Sequence, residues 1–426
     1  RNLKDNFINY FHDPKPKGLI LTGMVGVGKT TLIESGLADL AREFEVFTFS
    51  GDDIRFRAAV ATDSDWITNH VKSKTTKRTL IFVDEVQKSE AIFDGLKVAF
   101  DSIKASFVVS GSNPAFLATT AKHRLQRRAD LWYLLPFSLP EILRHRGLPL
   151  ENIEKTFSEI LLDWPTLKPL GLDLSLNSVI QEECRRYLIY GGLPLAYLAP
   201  TPEKKLIEIR QVVERGFELL SKENNDITEK IQISLAEQQG QEFAYQGIFQ
   251  KTRLRRRELV NETIDHLINH GYVCRRKPLF LREDRKTYLT ILSLTDPGVV
   301  TYLTGNRDPD KTELGFRLEG MIHARLDHWL KNLPLKGELG YSKPFTIDVN
   351  GRIKYQAGEI DFLLRIGKRA IPMEAKLTDE ISNIDTTAIT TFLQKHKTIP
   401  FGIVFYGGAP AVDRARRLLF WPYWLV

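Results

Sequence analysis

A glycine-rich loop stands between a short apolar run and a helix-like run near the start of the chain. The apolar run is Gly18-Leu19-Ile20-Leu21-Thr22, and the loop reads Gly23-Met24-Val25-Gly26-Val27-Gly28-Lys29-Thr30. Glycines let backbone N–H groups approach phosphate oxygens, a lysine reaches the β- and γ-phosphates, and a threonine hydroxyl ligates Mg²⁺. A strand, a loop and a helix in this order predict a nucleotide site. Its expected contacts are Gly23, Gly26, Val27, Gly28, Lys29, Thr30 and Thr31.

Two carboxylates follow a second apolar run, Leu80-Ile81-Phe82-Val83. Four consecutive apolar residues are typical of a strand buried on both faces of a parallel sheet. Ligands bind at the carboxyl ends of such strands. We therefore expect Asp84 to hold Mg²⁺ together with Thr30, and Glu85 to polarise the attacking water.

A third strand-like run ends in the polar segment Ser110-Gly111-Ser112-Asn113. Ser112 could sense the γ-phosphate there, although ordinary turn chemistry explains the same residues equally well. Strand patterns alternate with helical patterns throughout this part of the chain, as in a P-loop α/β sheet. The sequence predicts an ATPase core at residues 1–138, using ATP and Mg²⁺, with strands near 18–22, 45–50, 79–84, 105–110 and 130–135.

Three arginines, Arg124, Arg127 and Arg128, cluster just before the last of these strands. One of them, which we take to be Arg128, could reach the nucleotide of a neighbouring subunit as an arginine finger. A solvated basic helix end explains the cluster as well.

Composition excludes several classes of protein. The chain has 426 residues, enough for two to four domains, and no apolar run approaches the roughly 20 residues that span a bilayer. Its two cysteines, Cys184 and Cys274, lack CxxC spacing, which argues against a zinc knuckle or a disulfide scaffold and fits a reducing cytoplasm. No charged leader begins the chain, so we expect a cytoplasmic location. The net charge of +7 favours an anionic partner.

Several short motifs accompany the glycine-rich loop and the acidic pair. They are Asp84-Glu85-Val86-Gln87, Ser110-Gly111-Ser112, Leu135-Pro136-Phe137-Ser138-Leu139-Pro140-Glu141 and Tyr190-Gly191-Gly192-Leu193-Pro194. Together they resemble the archaeal-type AAA+ ATPases of prokaryotes. The resemblance implies a winged-helix segment and a C-terminal nuclease-like domain after the ATPase, and it implies assembly into a homo-oligomer. The helical pattern of residues 139–225 then predicts a lid over the nucleotide, the alternative being helices packed elsewhere.

Residues 226–305 predict a winged helix independently of that resemblance. Helical patterns near 228–238, 244–252 and 256–271 precede two strand-like stretches, 272–281 and 287–294, which are separated by a charged turn. Basic residues gather on the third helix and on the wing, where they suit contacts with DNA phosphates. The alternative is a protein-contact module with a solvated basic face. The expected nucleic-acid contacts are Arg253, Arg255, Arg256, Arg257, Arg275, Arg276 and Lys277.

A second group of candidate site residues lies in residues 306–426. A helix near 312–331 carries Glu319, strands follow near 339–348, 358–365 and 369–375, and a helix near 386–396 precedes a strand at 401–405. Pro372 predicts an edge or a bulge in the third strand. Alternation along the hairpin can bring Asp361, Glu374 and Lys376 within reach of one metal ion.

This αβββαβ order and these residues resemble the PD-(D/E)XK nuclease superfamily. The resemblance implies that Asp361 and Glu374 bind Mg²⁺ or Mn²⁺, that Lys376 is the catalytic lysine, and that Glu319 is the acid supplied by the first helix. The chain departs from the pattern at Gly358-Glu359-Ile360-Asp361, where a Pro-Asp pair would be expected. The sequence thus predicts an ATP-regulated, metal-dependent nuclease acting on DNA. One alternative is an ATP switch whose nuclease-like fold only binds DNA or a protein partner, and another is a signalling ATPase without a nucleic-acid ligand.

Overall fold

A computed structural model divides the chain into two compact units. The first contains Arg1–Pro136 and Asp265–Tyr272, and the second contains Phe137–Ile264 and Val273–Val426. No described helix is both long enough and apolar enough to cross a membrane. The structure describes residues 2–72, 77–148, 150, 153–162, 178–220, 225–252, 257–279, 290–333, 335–343, 345–347, 353–355 and 358–426.

The first unit is built on a five-stranded sheet in the order β2-β3-β4-β1-β5, with every neighbouring pair parallel. The predicted α/β sheet is confirmed, and each predicted strand has a counterpart within two residues. The central strands are buried on both faces because helices cover both sides of a parallel sheet. The strands are β1 Gly18–Thr22, β2 Phe44–Ser50, β3 Arg78–Asp84, β4 Ser106–Gly111 and β5 Ala129–Tyr133.

Helices of the first unit follow each of the first four strands. Asp53 caps one of them, accepting hydrogen bonds from the backbone N–H groups of Arg55 and Phe56. Apolar side chains of these helices pack with those of β3 and β4, including Val83 and Phe107, in one core cluster. The helices are α1 Asn2–Phe11, α2 Lys29–Leu40, α3 Ile54–Thr62, α4 Trp66–Lys72, α5 Ala91–Ile103, α6 Pro114–Phe116 and α7 Lys122–Leu125.

The second unit contains most of the remaining helices. Capping boxes begin two of them, with Ser138 paired to Glu141 and Asp310 paired to Glu313. The helix α15 begins in the second unit, and its residues from Asp265 onward belong to the first. The helices are α8 Leu139–His145, α9 Ile153–Leu162, α10 Ser178–Tyr190, α11 Pro194–Leu198, α12 Pro202–Leu220, α13 Asn225–Glu237, α14 Tyr245–Thr252, α15 Arg257–Asn269, α16 Pro297–Thr304, α17 Lys311–Lys331 and α18 Thr387–Lys395.

An eight-stranded mixed sheet organises the second unit, in the order β14-β15-β13-β12-β11-β8-β6-β7. The elements of the expected αβββαβ order occur in α17, β8, β11, β12, α18 and β13, with β9 and β10 inserted between β8 and β11. Strands β9 and β10 form a separate antiparallel pair. The strands are β6 Val273–Pro278, β7 Ile291–Leu294, β8 Gly337–Ser342, β9 Phe345–Ile347, β10 Ile353–Tyr355, β11 Ile360–Ile366, β12 Arg369–Ala375, β13 Gly402–Tyr406, β14 Ala411–Asp413 and β15 Leu418–Pro422.

The helical segment expected to act as a lid shares its core with this sheet. Leu139 and Ile180 belong to one cluster with Phe362 and Trp421, which lie on β11 and β15. The core of α8–α10 is therefore continuous with that of the C-terminal sheet. The predicted divisions at 138, 225 and 305 stay predictions.

Three helices and an antiparallel pair of strands also occur in the order predicted for residues 226–305. They are α13, α14 and α15, followed by β6 and β7. Strand β6 pairs in parallel with β8 as well, through Lys277 and Pro278, so the hairpin continues the C-terminal sheet. The predicted charged turn of the wing lies outside the described residues, and the winged helix stays a prediction.

Candidate functional sites

The glycine-rich loop connects β1 to α2 at the carboxyl edge of the first sheet. Gly26 and Gly28 have φ values of 82° and 85°, in the left-handed region that a residue with a Cβ adopts only at a cost. A Cβ on Gly23 would lie 2.2 Å from the carbonyl oxygen of Leu134. The backbone path therefore requires glycine at these positions, as the phosphate-binding interpretation predicts.

Lys29 begins α2, and its side chain turns back into the loop. It is 7% exposed, and its Nζ donates hydrogen bonds to the carbonyl oxygens of Gly23 and Met24, at 2.9 and 3.0 Å. Burial lowers the pKa of Lys29 to about 8, although the charges of Glu85 and Asp84 oppose the shift. The ammonium group is thus held inside the loop by neutral acceptors, which phosphate oxygens can replace.

Thr30 and Asp84, predicted to hold Mg²⁺, lie side by side. The Thr30 Oγ1 donates to Asp84 Oδ2 at 3.0 Å, while the backbone N–H of Glu85 donates to Asp84 Oδ1 at 2.9 Å. Ser110 also donates to Asp84 Oδ1. A hydroxyl and a carboxylate are ligands that Mg²⁺ accepts in nucleotide sites. Of the remaining predicted contacts, Val27 is buried and Thr31 is exposed.

Glu85 is held by two polar side chains of the same edge. Ser112 Oγ donates to Glu85 Oε2 at 3.4 Å, and Gln87 Nε2 donates to the same oxygen. Ser112 therefore lies beside the carboxylate expected to polarise water. Gln87 received no role from the sequence, although it stands two residues after Glu85. The close approach of Gln87 explains Gly111, where a Cβ would lie 2.1 Å from Gln87 Oε1.

Two of the three arginines proposed as an arginine finger, Arg128 and Arg124, form ion pairs in the structure. Arg128 donates from Nε and Nη2 to the two carboxylate oxygens of Asp101, both at 2.8 Å. Arg124 pairs with Asp94 at 2.8 Å and also with Glu90. Exposed ion pairs contribute little free energy, about 0–1 kcal/mol. Arg128 can therefore leave Asp101 at low cost.

The second site lies on β11 and β12, which are adjacent and antiparallel. Asp361 Oδ2 accepts a hydrogen bond of 2.8 Å from the backbone N–H of Ala375. Lys376 Nζ lies 3.2 Å from Glu374 Oε2. Burial lowers the pKa of Lys376, but the charges of Asp361 and Glu374 outweigh it and raise that pKa overall. The three side chains that the sequence predicted at one site are thus neighbours.

One oxygen of Glu374 marks this site as a place for a cation. Glu374 is 2% exposed, and its Oε1 has no hydrogen-bond partner within the part of the chain that the structure describes. Burial raises the pKa of Glu374 to about 7, an effect that Lys376 opposes and Asp361 reinforces. A buried carboxylate oxygen without a donor fits a hard cation such as Mg²⁺ or Mn²⁺.

Few side chains at this second site could serve as metal ligands. Among the described residues, no three His, Cys, Asp or Glu side chains are grouped closely enough to hold a metal ion together. Asp361 and Glu374 would therefore hold a cation as a pair, with water completing its coordination. Such a pair suits Mg²⁺, which keeps several waters when proteins bind it.

Glu319 is paired with Arg276, which the sequence analysis expected to contact nucleic acid. Arg276 Nη2 donates to Glu319 Oε2 at 2.8 Å, and Arg276 Nη1 donates to the carbonyl oxygen of Asp361 at 2.6 Å. Burial raises the pKa of Glu319 to about 7, Asp361 adds to this shift, and Arg276 opposes it. Arg276 is therefore a member of the site that sequence reasoning missed.

The expectation that Arg276 contacts nucleic acid needs correction. Its side chain is 1% exposed, because alternation along β6 directs it into the unit and leaves Lys277 exposed. Arg257, at the start of α15, is exposed and lies 5.4 Å from the ring of Tyr245. Arg275 is partly exposed. The remaining expected contacts, Arg253, Arg255 and Arg256, lie outside the described residues.

Two family models match separate parts of the chain. The first is described as an AAA domain and matches residues 15–143. The second is described as a domain of unknown function, DUF8612, and matches residues 181–310. Neither covers half of the chain. A curated relative, an uncharacterized protein of Methanocaldococcus jannaschii, is 22% identical over 278 residues. That alignment covers 61% of this chain and 56% of the relative, so the chain spans little more than half of the relative's length.

Solved structures with some similarity include Cdc6p from Pyrobaculum aerophilum, which is 12% identical to this chain. The alignment covers 71% of this chain and 92% of that chain, and the TM-score is 0.26. Another is the replication initiator DnaA bound to AMPPCP and single-stranded DNA, with 13% identity, coverage of 63% and 86%, and a TM-score of 0.27. TM-scores at this level do not establish a shared fold. The match to the AAA domain spans the glycine-rich loop, Asp84, Glu85 and Ser112 together. Residues 15–143 are therefore similar to an AAA domain, and they contain the parallel α/β sheet.

Proposed function

We propose that this protein hydrolyses ATP, binds DNA, and cleaves it at a metal-dependent centre in its C-terminal domain. In this proposal residues 1–138 are the ATPase core, 139–225 a helical lid, 226–305 a winged helix and 306–426 a PD-(D/E)XK-like nuclease domain. The ATPase part rests on the AAA domain and on the contact between Thr30 and Asp84. The nuclease part rests on the orphaned oxygen of Glu374 beside Asp361 and Lys376.

In the proposed ATPase core the tasks are divided among the residues at the carboxyl edge of the first sheet. The loop backbone and Lys29 bind the phosphates, and Thr30 and Asp84 hold Mg²⁺. Glu85 orients the attacking water, with Ser112 and Gln87 keeping its carboxylate in place. Because Ser112 contacts Glu85, which would orient the water that attacks the γ-phosphate, Ser112 is also placed to sense that phosphate.

ATP turnover by the Lys29→Ala variant tests this assignment. We expect turnover to be lost, because the Lys29 ammonium is buried inside the glycine-rich loop, where it would bind the phosphates. Lys4→Ala is the matched control, since it removes a lysine of the same unit that makes a surface ion pair with Asp39. Undiminished hydrolysis in Lys29→Ala would refute the phosphate-binding role of the loop.

In the C-terminal centre Asp361 and Glu374 hold the cation, and Lys376 supports the transition state. A bound Mg²⁺ or Mn²⁺ would supply an activated water and stabilise charge on the scissile phosphate. Lys376 is partly buried beside Glu374, where its positive charge can act on a phosphodiester in a site of reduced dielectric. Ala375 keeps Asp361 oriented through its backbone N–H.

DNA contact is proposed for the basic residues of the winged helix. Arg257 and Lys277 are exposed, and Arg275 is partly so. Arginines and lysines at such positions neutralise phosphates and release counterions, which makes affinity fall steeply as salt rises. A DNA affinity that does not depend on salt would argue against this surface and would favour a signalling ATPase.

Cleavage of labelled DNA tests the nuclease. Linear, single-stranded and branched DNA would be incubated with Mg²⁺ or Mn²⁺, with and without ATP, using wild type, Asp361→Ala and Glu374→Ala. Glu338→Ala is the control, since it removes an exposed carboxylate of the same sheet. Cleavage lost in both site variants and kept in the control would support the nuclease, and its dependence on ATP would define the coupling.

The second candidate function is an ATP switch whose nuclease-like domain only binds DNA or a protein partner. The pairing of Glu319 with Arg276, and the lack of a three-acid group among the described residues, favour it. Intact DNA binding and ATP hydrolysis without any cleavage would support this alternative.

A further inference from the structure

Arg276 is a buried cation at the edge of the C-terminal centre. It lies on β6, which pairs with β7 on one side and with β8 on the other, and its side chain is 1% exposed. The guanidinium also lies over the ring of Phe362, 4.7 Å from its centroid. A charge buried to this extent requires partners that compensate for the loss of water.

Its two partners belong to different elements of the centre. Glu319, on α17, accepts a hydrogen bond of 2.8 Å, and the carbonyl oxygen of Asp361, on β11, accepts one of 2.6 Å. The carboxylate of Asp361 is held on another side by the backbone N–H of Ala375 at 2.8 Å. Arg276 and Ala375 thus fix the backbone and the side chain of the same acid.

Glu319 is occupied by this contact. It does not form a three-acid group with Asp361 and Glu374 in the described part of the chain. A carboxylate paired with an arginine in this way balances the charge of the arginine. It is then not free to act as a third ligand of a cation held by Asp361 and Glu374.

We propose that Arg276 is a positioning residue that holds Asp361 for cation binding, and that Glu319 serves as the counter-ion of Arg276. This inference rests on the proposed nuclease function and changes the role of Glu319 within it. Arg276 does not touch the substrate. It acts through the backbone of Asp361, and outer partners of this kind are known to tune the affinity of metal sites.

The position of Arg276 also connects two parts of the proposed mechanism. Its neighbours on β6 are Arg275 and Lys277, which are expected to contact DNA. The same strand therefore carries the proposed DNA contacts and the guanidinium that holds Asp361. A displacement of β6 on DNA binding would therefore move Asp361, because Arg276 is hydrogen-bonded to its carbonyl oxygen.

The decisive variant replaces both charged partners, Arg276→Met with Glu319→Met. Above pH 7, where Glu319 is ionised, the variant leaves the net charge near Asp361 and Glu374 unchanged, so a change in cation affinity there reports loss of positioning. Replacing a buried ion pair by apolar residues of similar volume is often neutral for stability, whereas removing one partner leaves an uncompensated charge. The matched control is Arg365→Met with Glu338→Met, an exposed ion pair in the same sheet.

Two measurements are made on the full-length protein. Binding of Mn²⁺ alone is followed by electron paramagnetic resonance, and exchange of the Ala375 amide is followed by hydrogen exchange without metal. We expect the Arg276/Glu319 double variant to bind Mn²⁺ about tenfold more weakly than wild type. We expect its Ala375 amide to exchange faster, because Asp361 no longer holds that N–H. Arg276→Lys keeps the charge with fewer donors and should show a smaller loss in the same direction.

The outcomes separate the inference from the proposed function. Wild-type Mn²⁺ affinity in the Arg276/Glu319 double variant would overturn the positioning role and leave the nuclease proposal intact. A wild-type protein that binds no Mn²⁺ would overturn the metal-dependent nuclease. The exchange of Ala375 would then decide the positioning of Asp361, since unchanged exchange contradicts it.

Discussion

Thr30 Oγ1 donates a hydrogen bond of 3.0 Å to Asp84 Oδ2, across 54 positions of the sequence. The parallel sheet produces this contact because β1 and β3 both flank β4 and end at the same edge. A hydroxyl and a carboxylate brought together at that edge are the two protein ligands that the proposed Mg²⁺ site requires.

Replacement of the Thr30 hydroxyl tests this contact. We expect Thr30→Val to lose Mg²⁺-dependent ATP hydrolysis, because valine keeps the shape of the side chain and removes its ligand. Thr30→Ser keeps the hydroxyl and should retain hydrolysis. Steady-state turnover at increasing Mg²⁺ concentrations measures both variants. Equal turnover by Thr30→Val and Thr30→Ser would show that the hydroxyl does not bind the metal.

The protonation of Lys29 should couple ATP binding to pH. Burial lowers its folded-state pKa from 10.5 to about 8, so above pH 8 the nucleotide-free site is largely neutral while an unfolded chain would still be protonated. This group's contribution to stability therefore rises with pH between about 8 and 10.5. A phosphate restores the charged form, so ATP binding above pH 8 should take up a proton and weaken as pH rises.

Calorimetry at pH 9 in buffers of different ionisation enthalpy measures that proton. Wild type should show uptake, and Lys29→Gln, which cannot be protonated, should not. Uptake of equal size in both proteins would assign the proton to another group.

Gly191 should tolerate no side chain. Its φ is 71°, and a Cβ there would lie 1.8 Å from Asp296 Oδ1, whose carboxylate also accepts a hydrogen bond of 2.8 Å from the backbone N–H of Gly192. Gly305→Ala is a matched control, because Gly305 has a φ of 70° and nothing within 4 Å of the added Cβ. The control should cost about 1–2 kcal/mol of unfolding free energy for the backbone alone.

Gly191→Ala should cost clearly more than the control, since the contact with Asp296 must also rearrange. Chemical denaturation of the two variants measures the difference. Equal losses would mean that Asp296 can move away without disturbing the turn.

Arg128 should contribute to ATP hydrolysis only when subunits assemble. In the proposed homo-oligomer it leaves Asp101 and acts on a neighbouring nucleotide, so wild-type ATPase activity per subunit should rise with protein concentration. Arg128→Ala should lack that rise, and Asp101→Ala, which frees the arginine, should retain it. Activity and sedimentation measured over the same concentrations test this. A rise that persists in Arg128→Ala would exclude Arg128 as the finger.

Much of the fold could be predicted because it depends on local patterns. Apolar runs such as Leu80–Val83 predict buried strands, and Gly367 with Lys368 predicts the turn between β11 and β12, which the structure confirms. The prediction that Pro372 marks an edge or a bulge agrees with the local pairing, because at Pro372 strand β12 is paired with β11 only. Strand β12 as a whole lies inside the sheet, between β11 and β13, but its pairing with β13 begins only at Met373, after the proline.

The sequence by itself determined the glycine-rich loop, the acidic pair at the end of β3 and the hairpin that carries Asp361 and Glu374, because neighbouring residues and regular spacing specify them. Only the tertiary structure decided the partners of Arg276. Its basic neighbours on β6 suggested a surface residue, but strand alternation buries it against Glu319 and Asp361, 43 and 85 positions away. Desolvation of a guanidinium is compensated only by acceptors that the folded chain brings together, and no local pattern encodes which acceptors those are.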